Sequence, residues 1–268
     1  MTSSLASPSR RRIVSLAPSV TSILVEMGAR RELVAVSRWC GAVADVRGLP
    51  ALGDSWKFDA GALTALRPTL IIGSVPYRPE TLAAILEYPA PFLATNPRTL
   101  ADIFGEIRLL GAMTGRQAGA KRLVARMRRE FARVKRAARR ASSRPRVYAE
   151  AWPHPRISSP PWVAELIELA GGEMVLPAGC RVTDTQVHRA QPEIIVLAWT
   201  ATGGRARPDS ALSNPAWRRV PAVVGGQVFV VADHWLNTPG PPLLRGLQCL
   251  FSLLHPELAS APREPLIL

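Results

Sequence analysis

The sequence lacks the motifs that most enzyme classes require. It contains no GxSxG, GxxxxGK[ST] or HExxH pattern and no GxGxxG after a strand. Its four histidines are too scattered to form a metal site by spacing. Its three cysteines are Cys40, Cys180 and Cys249, and they form no CxxC pair. We predict that each is a small buried residue. These absences favour a binding protein over an enzyme, with no catalytic residue, metal ligand or catalytic cofactor to assign.

Long apolar runs are also absent. No run reaches the roughly 18–20 residues that a membrane-spanning helix needs. The segment after Met1 has no apolar core of the kind found in secretory signals, and its arginines follow small polar residues. The sequence as it stands therefore predicts a cytoplasmic protein without a membrane span. The alternative is a periplasmic protein whose start is processed or misassigned.

Negative charge is scarce, and the net charge of +14 raises the question of an acidic partner. Ten basic residues and one acid, Glu130, lie between Lys121 and Arg140. Few aromatic residues are interleaved there, so no platform for stacking bases is predicted. We favour a solvated helix face. Binding of nucleic acid or of an acidic surface by this basic helix is an alternative of another class, and nucleic acid is not the favoured partner.

Short β-like runs alternate with helical patterns along the chain, which predicts an α/β fold with parallel sheets. The longest helical pattern covers residues 115–141, where Leu123, Met127, Phe131 and Val134 form one narrow apolar stripe. A helix of about 26 residues would be on the order of 40 Å long. We therefore predict an N-terminal lobe at 11–114, a single interlobe helix at 115–141 and a C-terminal lobe at 142–268.

The second half of the sequence repeats features of the first half in the same order. Ser-Arg-Arg-Arg-Ile-Val at 9–14 corresponds to Ser-Arg-Pro-Arg-Val-Tyr at 143–148, and Ile-Leu-Val-Glu-Met-Gly at 23–28 to Leu-Ile-Glu-Leu-Ala-Gly at 166–171. Leu-Arg-Pro-Thr-Leu-Ile-Ile at 66–72 corresponds to Ala-Gln-Pro-Glu-Ile-Ile-Val at 190–196. Each match alone is weak, but the ordered set predicts two lobes of similar build.

Tryptophan is unusually frequent, with seven Trp against three Tyr. Five of them fall at predicted strand ends or in loops beside them: Trp39, Trp56, Trp152, Trp199 and Trp235. Because the carboxyl ends of parallel strands line the binding crevice of such sheets, we expect these indoles to converge on one cleft. Indole offers a large, rigid, flat apolar surface with one hydrogen-bond donor. We predict a packing role for Trp217, and Trp162 as the first residue of a helix at 162–170.

Several of these segments together resemble the periplasmic-binding family with a helical backbone (class III), which binds cobalamin, ferric siderophores and haem. The resembling segments lie at 12–21, 66–72, 170–173, 190–195 and 239–241. Within the family the chain is most similar to the cobalamin-binding branch. The resemblance implies ligand contacts by Trp39, Trp56, Asp233 and Trp235, and Tyr77 falls near another aromatic position of the cleft. Trp152 and Trp199 rest on the strand-end argument, and His234 is a further candidate contact.

We therefore predict non-enzymatic binding of a large flat ligand, cobalamin or another corrinoid, in the interlobe cleft of a monomer, for transport, salvage or sequestration. Haem or a ferric siderophore in the same cleft is the alternative, because haem takes an axial His or Tyr and siderophores suit arginines such as Arg38, Arg78 and Arg156. An ABC permease partner is a further expectation of the resemblance. The carboxylates with which such carriers dock are not matched, since Gly61 and Thr185 stand at those positions.

Overall fold

The computed structural model describes residues 11–54, 58, 61–200 and 206–259. These residues form two compact units. The first consists of the residues up to Asn96 together with Gly105–Leu123, and the second of Pro97–Phe104 and the residues from Val124 onward. The single connecting helix expected from the sequence is not confirmed, because helices α4 (Leu100–Thr114) and α5 (Gln117–Ala138) each have residues in both units.

The first unit is built on a parallel sheet with the strand order β2-β1-β3-β4. Apolar strand residues such as Val14, Ala35 and Ile71 form its core together with Leu63 and Ile85 from the helices. Its elements before α4 are β1 (Ile13–Ser15), α1 (Pro18–Glu26), β2 (Leu33–Val36), α2 (Gly61–Leu66), β3 (Leu70–Ser74), α3 (Pro79–Leu86) and β4 (Phe92–Thr95). Short 3-10 turns cover Arg30–Glu32 and Cys40–Ala42.

The second unit repeats this arrangement. Strand β5 pairs in parallel with β7 on one side and with β8 on the other, and β8 pairs with β9. The order β7-β5-β8-β9 therefore matches β2-β1-β3-β4, as the sequence repeat predicted. The elements after α5 are β5 (Arg146–Pro153), β6 (Arg156–Ser158), α6 (Pro161–Leu169), β7 (Glu173–Met174), α7 (Asp184–Ala190), β8 (Ile194–Leu197), α8 (Asp209–Leu212), a 3-10 turn (Pro215–Trp217), α9 (Pro221–Val224), β9 (Val228–Val230), α10 (Asp233–Leu236) and α11 (Leu243–Leu254).

The start of helix α5 and its buried side follow from the residues before it and from its apolar positions. Gly115, with φ +68°, ends α4 in the left-handed conformation that glycine adopts without strain, so the next helix begins only at Gln117. The predicted stripe of Leu123, Met127, Phe131 and Val134 is buried. The 22 residues of α5 correspond to about 33 Å, shorter than the sequence suggested.

Three local expectations differ from the structure. Trp152 lies inside β5 rather than after it, because β5 continues into an antiparallel hairpin with β6. The segment 233–242 is rich in proline and glycine, which predicts a loop, but its residues 233–236 form the one-turn helix α10. Cys40 and Cys249 are buried as predicted, but Cys180 is exposed. Asp59, which the sequence favours as the cap of a short helix ending before Pro68, lies outside the described residues.

Candidate functional site

Three strands of the second unit bring candidate residues to one edge of its sheet. Strands β5, β8 and β9 are adjacent and parallel, so their carboxyl ends meet at the same edge. Trp152 is near the end of β5, Trp199 follows β8, and Asp233 follows β9. The side-chain amide of Asn237 donates to the carbonyl of Ala198 at 2.5 Å and so ties α10 to the end of β8. We call this region the second carboxyl edge.

A buried carboxylate fixes one of these indoles. Glu150, on β5, is 0% exposed, and its Oε1 accepts a hydrogen bond from the indole Nε1 of Trp199 at 2.9 Å. Its Oε2 accepts from the hydroxyl of Tyr148 at 2.9 Å and from the guanidinium of Arg156 at 2.9 Å. Hydrogen bonds to an ionised acceptor are about twice as strong as neutral ones. The indole plane of Trp199 is therefore held before any ligand arrives.

The hairpin partner strand completes this cluster. Arg156, on β6, is 14% exposed, and its Nε donates to Asp184 at 2.6 Å. Its guanidinium lies 4.2 Å from the ring centroid of Trp217, which is fully buried and meets Tyr148 edge-on. Burial and the neighbouring Glu150 charge raise the pKa of the Tyr148 phenol, so the hydroxyl remains a donor at neutral pH. Trp217 therefore has the predicted packing role.

The remaining indole surface at this edge is accessible. Trp152 is 38% exposed, and its Nε1 donates to the carbonyl of His154 at 2.9 Å. Trp199 is half-buried and packs with one side on the core cluster around Tyr148. Each ring thus has a fixed donor and uncovered apolar area, which suits a flat partner.

Helix α10 adds a histidine and a third indole. The rings of His234 and Trp235 meet edge-on at 5.8 Å, and both side chains are half-buried. Burial lowers the pKa of His234, so its imidazole is neutral at pH 7. The His234 Nδ1 lies 3.9 Å from a carboxylate oxygen of Asp233. Gly246 of α11 lies so close to the carbonyl of Trp235 that a Cβ there would collide with it. Tight packing of α11 therefore sets the position of α10.

The first unit holds the other candidates. Trp39 follows β2 and is half-buried, with the Arg38 guanidinium 4.7 Å from its ring centroid. Tyr77 instead turns inward. Its ring meets Phe92 edge-on, its hydroxyl packs against Gly73, and burial raises its pKa to about 12. Trp56 lies outside the described residues.

The structure therefore gathers Trp152, Trp199 and the segment 233–235 at one edge, while Trp39 belongs to the other sheet and Tyr77 to a core cluster. A cleft shared by indoles of both lobes stays a prediction. Sequence reasoning missed Glu150, although a single acid inside the apolar strand residues 147–151 is a signal for a buried ionic partner.

The described residues hold neither a metal cluster nor a membrane-spanning helix. Residues 11–54, 58, 61–200 and 206–259 contain no group of three or more His, Cys, Asp or Glu able to hold a metal ion. Over the same residues, no helix is long and apolar enough to cross a bilayer.

Comparison with known proteins gives consistent matches over most of the chain. A family model described as periplasmic binding protein matches residues 13–234. The vitamin B12-binding protein of Pectobacterium carotovorum subsp. carotovorum (strain PC1) is 26% identical over 255 residues, which cover 91% of this chain and 88% of that protein. A solved periplasmic haem-binding protein from Pseudomonas aeruginosa has a TM-score of 0.81 at 22% identity, with 96% of each chain covered. The solved periplasmic vitamin B12-binding protein of Vibrio cholerae has a TM-score of 0.70 at 22% identity, covering 93% of this chain and 98% of that one. At these identities the two solved structures show a shared fold.

Proposed function

The chain belongs to the periplasmic binding protein family, and from this premise we propose that its ligand is cobalamin or another corrinoid. The observation that carries the proposal is the second carboxyl edge, where Trp152, Trp199 and Trp235 present partly uncovered indoles at the ends of adjacent strands or just beyond them. Flat aromatic area with a few placed polar groups suits a large macrocycle with amide-bearing edges. The sequence relative named above as a vitamin B12-binding protein supports the same ligand.

Family membership also corrects one expectation and confirms another. The matched family and the solved relatives are periplasmic binding proteins, so the expectation of a cytoplasmic protein is wrong. The same family consists of substrate-binding proteins, which confirms the expectation that the chain is not an enzyme.

Haem is the second candidate ligand, because one residue specifically favours it. Haem iron takes an axial imidazole or phenolate. His234 is half-exposed on α10, and its lowered pKa leaves a ring nitrogen free of its proton at pH 7. Tyr77 is unsuited to the same role since its hydroxyl is buried.

A ferric siderophore has less support. Arg156 and Arg38, both expected to receive its negative charge, already pair with carboxylates: Arg156 with Glu150, and Arg38 with Asp54 at 2.5 Å. Arg78 is exposed just before α3.

We further propose that the protein delivers its ligand to an ABC permease. Gly61 begins α2 and Thr185 lies in α7, both exposed and neither acidic. The nearest acid in α7, Asp184, is hydrogen-bonded to Arg156 and Asn214. Docking on a permease would therefore use contacts other than a carboxylate at these two positions.

A titration tests the ligand directly. Cyanocobalamin and haem are added separately to the purified protein while tryptophan fluorescence and ligand absorbance are recorded. We expect cyanocobalamin to bind and quench, and Trp152→Ala to weaken it by roughly 30-fold, since buried tryptophans at binding interfaces contribute about 2 kcal/mol or more.

Val224→Ala is the matched control for this titration. Val224 is 73% exposed and lies just before β9, at the opposite end of the strands, so its loss should leave affinity unchanged. If cyanocobalamin does not quench the fluorescence, and haem gives an absorption band that shifts in the His234→Ala variant, the ligand is haem rather than a corrinoid.

A further inference from the structure

The solvent-facing side of the second half of α5 and of the turn after it is almost entirely cationic. We call it the basic face, and all of its members are exposed and lie in the second unit: Arg128, Arg129, Arg133, Lys135, Arg136, Arg139 and Arg140. At 100° per residue they cover about half of the helix circumference, opposite the buried stripe. The face therefore presents a dense array of positive charge.

Little of this charge is neutralised within the protein. Glu130 is the single acid between Lys121 and Arg140, and it pairs with Arg133 at 2.8 Å. The other six cations form no ion pair with a carboxylate in the part of the chain that the structure describes. Like charges at this density repel one another, so a polyanionic surface would relieve an unfavourable arrangement.

Large apolar side chains are not exposed between residues 128 and 140. The uncharged exposed position among these cations is Ala132, and Phe131, the aromatic residue of the segment, is buried in the stripe. A partner would thus be held by electrostatic attraction, without insertion of side chains and without stacking on bases.

We propose that the basic face docks the protein on the surface of an anionic phospholipid bilayer. A periplasmic protein works beside membranes and away from nucleic acid, and a bilayer offers the broad, flat array of negative charge that a straight cationic helix face complements. Each Lys or Arg held near an anionic bilayer strengthens binding about fivefold. Seven such groups suffice for reversible, salt-sensitive attachment, which would keep the loaded carrier close to membrane-bound partners.

The test is co-sedimentation of the purified protein with phosphatidylcholine vesicles, with and without phosphatidylglycerol. We expect binding to the anionic vesicles alone, with release at high salt because the charges are screened. The variant Arg129→Gln/Arg136→Gln/Arg140→Gln should reduce partitioning on the order of 100-fold, at about fivefold for each cation removed.

The control variant Arg189→Gln/Arg218→Gln/Arg219→Gln removes the same charge from exposed positions of the same unit and should retain most of the binding. Ligand affinity should be unchanged in both variants. A failure of the membrane-docking proposal is therefore distinguishable from a failure of the proposed ligand-binding function. The proposal would be overturned if both variants lost vesicle binding equally, or if the protein bound neutral vesicles as well as anionic ones. It would also be overturned if the protein bound no vesicles but bound duplex DNA tightly through the same arginines.

Discussion

Replacing Glu150 with glutamine tests whether the buried carboxylate fixes the indole of Trp199. Glutamine keeps the shape but offers one acceptor oxygen where three donors converge at 2.9 Å. If that oxygen accepts from Arg156, the new NH2 group faces the indole N–H of Trp199, and two donors meet. Removal of one partner of a buried ion pair costs about 3–5 kcal/mol. We expect the lower end, because Arg156 keeps Asp184 at 2.6 Å.

Denaturant unfolding followed by tryptophan fluorescence measures this loss, and a cyanocobalamin titration of the folded variant measures the effect on the ligand. Tyr148→Phe is the matched control: it removes one neutral donor from the same carboxylate, should cost about 1 kcal/mol, and leaves the bond to Trp199 intact. We expect weaker ligand binding in Glu150→Gln and nearly unchanged binding in Tyr148→Phe. Equal ligand affinity in the two variants would show that Glu150 does not position Trp199. A stability loss under about 1 kcal/mol in Glu150→Gln would show that the buried ion pair contributes little to stability.

Gly246, Gly73 and His234 give three further predictions. Gly246→Ala should destabilise the protein by about 1–3 kcal/mol and weaken ligand binding, because the added Cβ displaces the carbonyl of Trp235. Thermal unfolding and ligand titration measure the two effects, and wild-type values in both would contradict the prediction. Gly73→Ala should lower the free energy of unfolding by forcing out the Tyr77 hydroxyl without changing ligand affinity, and a large affinity loss would show that Tyr77 serves the ligand. Burial lowers the pKa of His234 below 6.5, so the unfolded chain takes up this proton more readily and the free energy of unfolding falls as pH drops from 7 to 5. NMR titration should give a pKa under 6.5, and His234→Gln should weaken the pH dependence; a pKa above 6.5 would reverse the sign.

Much of the fold could be predicted because local sequence patterns determine it. The repeated βα segments predicted two similar sheets, and the apolar stripe of α5 predicted its buried side. Proline and glycine between residues 233 and 242 suggested a loop, but one helical turn forms there once Gly246 lets α11 pack against it. The division of the chain was harder to predict, since two helices contribute to both units.

For the candidate residues, the strand near which each lies was easier to predict than its contacts. Strand ends located Trp152 and Trp199 because the end of a parallel strand is a local feature. The role of Glu150 depends on Arg156 and Tyr148, which reach it only after the β5–β6 hairpin forms. Likewise, the inward turn of Tyr77 depends on contact with Phe92, from a strand that follows later in the chain.

We propose that indoles at the second carboxyl edge bind a flat corrinoid. A crystal structure of the protein with cyanocobalamin tests it most directly. We predict that the macrocycle contacts the exposed faces of Trp152 and Trp199, with Trp199 still hydrogen-bonded to Glu150. A macrocycle bound elsewhere, or one that contacts neither indole, would contradict this proposal.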